Sequence, residues 1–332
     1  MLFLYKIYLI YKIMKSLTDY ILERKVITFG SADVNYGQCV ILAGGAGSGK
    51  GYINNKIMLD AKTIDVDSLK TKYIEMAKAG KLQEPDNNEY SLLNPADVSK
   101  LHIEVAKRKW KQKQRSFLAS GIASSNKNGD SSKIPNIIWD MVCKDIDDIQ
   151  DIIDLVKPLG YKITIVWVVC NVETARCGNY IRDRKVDKKV IDDTHAGARK
   201  TLVGLLSGKY PEVEQNIDNI WIGLSAGYGR MLKPEYKNNS VIRVKHGIDG
   251  QLDYPASMID KFLNEQQPYN YEAIVNRLNS SNAQDREQAE KFIEYEKISK
   301  DKLKQYGDVK EGEYDDFDYA AWDEFLRSIG RK

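Results

Sequence analysis

A glycine-rich stretch, GGAGSGKG at Gly44–Gly51, directly follows the apolar run QCVILA and precedes helix-like sequence from Tyr52 to Asp60. Gly44, Gly49 and Lys50 match the spacing G-x-x-x-x-G-K. Glycines at such places let successive backbone N–H groups turn inward around phosphate oxygens. The helix that follows adds the partial positive charge of its N-terminus, and the lysine reaches the β- and γ-phosphates. The pattern requires a strand before it and a helix after it, and the flanking sequence supplies both. Gly44, Gly45, Ala46, Gly47, Ser48, Gly49, Lys50 and Gly51 are therefore expected to cradle the phosphates of a nucleoside triphosphate. The alternative is a glycine-rich turn with no ligand.

The rest of the chain supports a sheet of buried parallel strands. AKTIDVD (61–67), IPNIIWD (134–140), YKITIVWVVC (161–170) and DNIWIGLS (218–225) are short apolar runs without helical alternation. Such runs read as strands covered on both faces. Between the third and fourth strands, Ile146, Ile149, Ile152, Ile153 and Val156 follow a 3.6-residue period. Strands alternating with helices predict an α/β fold with a parallel five-stranded sheet. SVIRVKHG (240–247) is a further β-element candidate. Two segments fall outside the alternation: an insert at about 68–133, and a helical, acidic tail after about Tyr254. The expected organisation is an N-terminal helical segment at 1–35, a kinase-type P-loop domain at 36–253 carrying the insert, and a C-terminal extension at 254–332.

The 332 residues hold 42% hydrophobic side chains, which excludes a wholly disordered chain. Lys+Arg number 50 and Asp+Glu 47, so bulk charge argues neither for nor against a nucleic-acid partner. Cys39, Cys143, Cys170 and Cys177 form no C-x-x-C pair, and the three histidines are far apart. A disulfide framework or zinc site is not expected, and a reducing, cytoplasmic setting is. The opening MLFLYKIYLIYKIM is interrupted by Lys6 and Lys12 and is well short of the roughly 20 residues a membrane span needs. It reads as an extension ahead of Met14, with a peripheral anchor as the alternative. No stable membrane insertion is expected.

Several side chains are placed to act on a phosphate. Asp65 and Asp67 end the second strand, the sheet edge where open α/β folds bind ligands. If the strand continues through them, alternation puts both on one side. Asp67 is expected to orient or deprotonate an acceptor hydroxyl. Asp65 either shares that role or caps a helix starting at Ser68. Asp140 ends the third strand and is the candidate for holding Mg²⁺ or contacting the acceptor, a helix cap being the alternative. NVETARCGNYIRDRKV carries Arg176, Arg182 and Arg184, which suit a lid that neutralises charge during transfer, or else an exposed basic helix. Gly51 stands where a Ser or Thr hydroxyl usually ligates the metal.

GGAGSGKG, IDVDSLK beginning fourteen residues beyond Lys50, IIWD and ETARCGNYIRDRKV together resemble the zeta-toxin and polynucleotide-kinase group of P-loop kinases. The resemblance covers about residues 36–250, and Gly51 departs from the usual zeta-toxin pattern. It implies a five-stranded parallel core and transfer of the ATP γ-phosphoryl group to a hydroxyl; ATP and Mg²⁺ are the expected cofactors. It also implies Asp67 as the base, Asp140 as the acidic residue of the third strand, and Arg176 and Arg182 or Arg184 as lid arginines.

The acceptor has one local clue. A basic amphipathic helix expected over Pro95–Ser120 carries Lys100, Lys107, Arg108, Lys109, Lys111, Lys113 and Arg115, with Trp110 and Phe117 interleaved. Cations with aromatic stacking partners suit a nucleic-acid strand or a nucleotide. The plainer reading is a solvated face with Trp110 on the core. The leading acceptor is thus a nucleic-acid or nucleotide hydroxyl. The alternatives are a nucleotide-sugar kinase and a nucleotide-binding module without chemistry. The acidic stretch Glu311–Glu324 either docks on the basic helix, or belongs to a terminal helix whose Trp322, Phe325 and Leu326 pack on the core.

Overall fold

The computed structural model describes residues 37–54, 61–82, 86, 88–116, 134–237, 241–244, 253–306 and 319–330. The expectations for the N-terminal segment 1–35, for Phe117 and the end of the insert to 133, and for residues 311–318 lie outside these residues.

The apolar runs form the sheet. Its strands are β1 (Gln38–Ala43), β2 (Ala61–Asp65), β3 (Asn136–Asp140), β4 (Lys162–Val169), β5 (Asn219–Leu224) and β6 (Val241–Val244). They lie in the order β2-β3-β1-β4-β5-β6. The first five run parallel, as expected, and β6 pairs antiparallel with β5 at the edge. All six residues of β1 are buried, which explains why its sequence carries no polar alternation. On one face, Cys39, Ile41 and Ala43 join a cluster with Ile149, Ile152 and Ile153 of helix α4 (Ile146–Val156) and Leu202 and Leu205 of α6 (Lys188–Leu206). On the other, Val40 and Leu42 pack with Ile53, Ile138, Val166 and Val168.

Helix α1 (Lys50–Asn54) leaves the phosphate loop, and α2 (Val66–Lys78) begins directly where β2 ends. The insert contains α2 and α3 (Pro95–Lys107), which share a small core of Tyr73, Leu82, Leu101 and Val105. Asp86 secures it by accepting hydrogen bonds from the Tyr73 and Tyr90 hydroxyls at 2.5 and 2.8 Å. The basic helix is not continuous over Pro95–Ser120. It ends at Lys107, turns at Arg108–Lys109 with Lys109 in the left-handed region (φ 53°), and resumes over 110–116. Arg108 donates its backbone N–H to the Glu104 carbonyl, closing the last turn of α3.

Helix α5 (Val172–Ile181) follows β4, its start capped by Asn171, which accepts from the Glu173 N–H at 2.8 Å. Beyond α7 (Asp253–Asn264) lie α8 (Tyr271–Leu278), α9 (Ala283–Tyr306) and α10 (Tyr319–Ser328). Trp322 and Phe325 of α10 pack with Tyr269, Ile274 and Phe292 and with Cys177 and Ile181 of α5; Leu326 lies partly buried against the same cluster. Of the described tail, α7 packs on the sheet core through Ile259 and Phe262, while α8, α9 and α10 pack with α5 in this aromatic cluster. Among the described residues, no helix is long and apolar enough to cross a membrane. All four cysteines are buried single thiols.

Candidate phosphate-binding and acceptor site

β1 delivers the chain to Gly44 at the C-terminal edge of the sheet, between β3 and β4. Gly44 has φ 146°, and a side chain there would come within 2.6 Å of the Val168 carbonyl oxygen. Gly47 has φ 79°, and an added Cβ would lie 2.4 Å from the Ala175 carbonyl oxygen. The loop is therefore pressed against β4 and α5 at positions only glycine can occupy. Lys50 folds over it: Nζ donates to the carbonyls of Gly44 at 2.8 Å and Gly45 at 3.2 Å, and lies 3.9 Å from Asp140 Oδ1. Burial pushes the Lys50 ammonium down, and Asp140 and then Asp67 oppose that shift. The Ser48 side chain is buried, and its hydroxyl has no hydrogen-bond partner among the described residues. An orphaned buried hydroxyl in a glycine cradle beside a lysine fits a phosphate group.

Gly51 is different. Among the described residues, no neighbouring group lies within 4 Å of where its Cβ would be, so none of them forbids a side chain there. The carboxylate nearest the lysine is Asp140. Burial raises its carboxyl to about 6, with Lys50 opposing and Asp65 and Asp67 adding to the rise. One carboxylate beside a phosphate loop fits a divalent cation that draws its remaining ligands from phosphate oxygens and water. Among the described residues, no cluster of three or more metal-ligating side chains forms.

The acceptor-side acids are arranged differently from the strand picture. Asp65 pairs in register with Asp140, but the strand stops there, and Asp67 sits in the first turn of α2. Strand alternation therefore does not relate the two. Asp65 is the helix cap: its Oδ1 accepts from the Ser68 N–H at 2.7 Å, with the helix starting at Val66 rather than Ser68. Asp67 is half-buried and doubly paired, Oδ2 with Arg184 at 2.6 Å and Oδ1 with Lys70 at 3.2 Å. Burial pushes the Asp67 carboxyl up, but Arg184 and Lys70 together outweigh it and hold it below its ordinary value.

The three arginines go to different places. Arg184 reaches Asp67 and keeps a buried Nε without a partner among the described residues. Arg182 donates through Nε and a terminal nitrogen to Asn179 Oδ1 at 3.2 and 2.8 Å. Burial, and then Arg184, lower Arg182 to about 10, which leaves it charged at neutral pH. The guanidinium of Arg176 is engaged by Glu173 and by Asp192 of α6, at 2.7 and 3.1 Å for the latter. The structure thus brings Lys50, Asp67, Asp140, Arg182 and Arg184 to one edge and ties Arg176 into the contact between α5 and α6.

Sequence reading missed Lys70, a cation with only 8% exposure. It lies three residues after Asp67, a helical neighbour once α2 is known to start at Val66. It also missed Thr194 and His195, which touch Ala46 from α6. On the insert, Trp110 packs beside Tyr73 (ring centroids 5.7 Å apart), Arg108 lies over Tyr73, and Arg115 pairs with Asp151 and lies over Trp139. Lys100, Lys107, Lys109 and Lys113 remain exposed.

No protein-family model matches the chain, and no curated protein matches it. Among solved structures, the chain is similar to one from the PezAT chromosomal toxin–antitoxin system of Streptococcus pneumoniae. Identity is 13% over 69% of this chain and 87% of that one, with a TM-score of 0.42. It is also similar to the complex AvrRxo1-ORF1:AvrRxo1-ORF2 with ATP, at 14% identity over 77% of this chain and 76% of that one, TM-score 0.44. The same complex with sulphate ions matches at 14% identity and TM-score 0.44 over the same shares.

Proposed function

We propose that the chain is an ATP-dependent phosphotransferase that moves the γ-phosphoryl group to a hydroxyl of a nucleotide-type small molecule. The observation that carries this reading is a single sheet edge holding a phosphate loop, Lys50 3.9 Å from Asp140, and Asp67 paired with Arg184. In this reading the Lys50 ammonium and the loop amides not bonded within the protein bind the triphosphate; those of Gly44, Ala46 and Ser48 are taken by the Val142 carbonyl, Thr194 Oγ1 and the Gly45 carbonyl. Asp140 would hold Mg²⁺, which when bound would supply positive charge against the triphosphate. With no hydroxyl at Gly51, the protein's share of metal binding falls on Asp140.

Asp67 receives the acceptor hydroxyl. While Arg184 and Lys70 hold its carboxyl low it is a weak base, suited to orienting the hydroxyl. Arg184, released toward the phosphates, frees Asp67 and brings positive charge to the transferring group. Arg182 supplies a second charge from the same segment, and Arg176 acts as a brace between helices. A nucleotide or nucleotide-sugar hydroxyl is favoured over a nucleic-acid strand. Among the described residues of the insert, Trp110, Arg108 and Arg115 are engaged within the protein and offer no free stacking platform.

The test is transfer from γ-labelled ATP with Mg²⁺, using nucleoside monophosphates, nucleotide sugars and 5′-hydroxyl DNA and RNA as acceptors. Label is expected on a small nucleotide acceptor, reduced at least about hundredfold in Lys50→Ala. Lys50-dependent ATP binding with no labelled acceptor would favour a second reading, a binding module without chemistry, for which Gly51 is the supporting observation.

A further inference from the structure

Two consecutive residues of α6 hold both polar groups of one residue of the phosphate loop. The Ala46 N–H donates to Thr194 Oγ1 at 3.2 Å, and His195 Nε2 lies 2.9 Å from the Ala46 carbonyl oxygen. A carbonyl only accepts, so Nε2 carries the proton. The imidazole also packs on the loop: a Cβ at Gly45 would come within 2.3 Å of the ring. These contacts span 148 and 149 residues of sequence.

The helix that makes them is itself tied down. Asp192, two residues before Thr194, binds Arg176 of α5. Thr201 Oγ1 donates to the Lys144 carbonyl at 2.8 Å, and an added Cβ at Gly197 would meet Lys144 Cγ at 2.3 Å. Lys144 lies four residues beyond Asp140, so one helix touches both the phosphate loop and the segment leaving β3. Lys50 is hydrogen-bonded to the carbonyls of Gly44 and Gly45, immediately before the braced residue. The lysine and α6 thus hold adjacent residues of the same loop.

We propose that Thr194 and His195 are positioning residues that hold the first half of the phosphate loop in its binding shape. A loop of glycines loses much chain entropy when it is ordered around a ligand. Bonding the Ala46 peptide at both its donor and its acceptor removes part of that freedom before the ligand arrives. Neither side chain needs to touch the nucleotide. The inference deepens the nucleotide-binding reading and rests on it for its meaning, but its geometry can be tested separately.

The test uses the full chain with Thr194→Val and His195→Phe, which keep bulk and lose the hydrogen bond, and Thr194→Ser and His195→Gln, which keep it. Two quantities are measured: the Kd for radiolabelled ATP by equilibrium dialysis, and hydrogen exchange of the amides of residues 45–50 without nucleotide. The first pair should raise Kd and speed loop exchange about tenfold each, while the second pair stays within about twofold. If Thr194→Val fails to fold, Thr194→Ala and His195→Phe carry the same comparison. Lower unfolding temperatures with unchanged Kd and unchanged loop exchange would reduce both residues to core packing and overturn the proposal. If the wild type does not bind ATP, the nucleotide reading fails, and loop exchange alone decides whether the brace holds.

Discussion

Asp140 sits where burial and function pull its carboxyl in opposite directions. Burial holds it near 6, against an ordinary value of 3.8, and Lys50 offsets only part of that rise. A carboxyl must be ionised to hold a cation, so transfer should fall as pH drops through about 6, and bound Mg²⁺ should move that limb lower. Stability runs the other way. The folded carboxyl binds its proton more tightly than the unfolded one, so this group favours the folded state at low pH. That contribution fades as pH rises from about 3.8 to 6. A pH–rate profile set beside pH-dependent unfolding separates the two, and Asp140→Asn should remove the acid limb. Gly51 supplies a second single-residue test. With no described neighbour within 4 Å of its Cβ, Gly51→Thr should fold normally and lower the Mg²⁺ concentration for half-maximal transfer several-fold. A metal titration of the two proteins checks this. Lys50, Asp67 and Asp140 were legible because each lies on or beside a local pattern, a glycine loop or a strand end. Thr194 and His195 had no such signal: their partner, Ala46, is far away in the chain.

Helix α2 shows how an element boundary redistributes roles. The sequence TIDVDSLK allowed the strand to run through Asp67, with both acids on one side. Instead the strand ends at Asp65, whose side chain caps the helix, and the helix turns Asp67 toward Lys70 and Arg184. Asp65→Ala is therefore expected to cost about 1 kcal/mol of stability by loss of the cap. Denaturant unfolding measures that loss, and the transfer rate per folded molecule should change less than about threefold. A hundredfold loss of rate would return Asp65 to the chemistry. The basic helix makes the same point. Its periodicity runs past Lys107, but the backbone breaks at Lys109, and the second piece carries Trp110 onto Tyr73 and Arg115 onto Asp151. Composition showed the positive charge; only packing decided which cations stay exposed.

Across the whole molecule, the C-terminal helices and the helix that leads to Arg182 and Arg184 share one aromatic cluster. Trp322 is 1% exposed, with its ring centroid 4.5 Å from that of Tyr269, and Phe292 links both to Cys177 and Ile181 of α5. Beneath them Arg230 pairs with Glu296 at 2.9 Å while lying over the Tyr269 ring. Trp322→Ala should cost about 3–5 kcal/mol in denaturant unfolding. Because α5 leads straight into Arg182 and Arg184, transfer should lose more than nucleotide affinity does. By itself the sequence determined the alternation of buried strands and helices, the glycine-rich loop after β1, and Asp65 and Asp140 at the ends of β2 and β3. These follow from periodicity and from backbone freedom at glycine, which act over a few residues. The tertiary structure alone decided that Arg184 pairs with Asp67, that Arg176 is consumed by Glu173 and Asp192, and that α6 braces the loop. Such pairings depend on which chain segments the sheet order makes neighbours, and that order is set by burying the whole core at once.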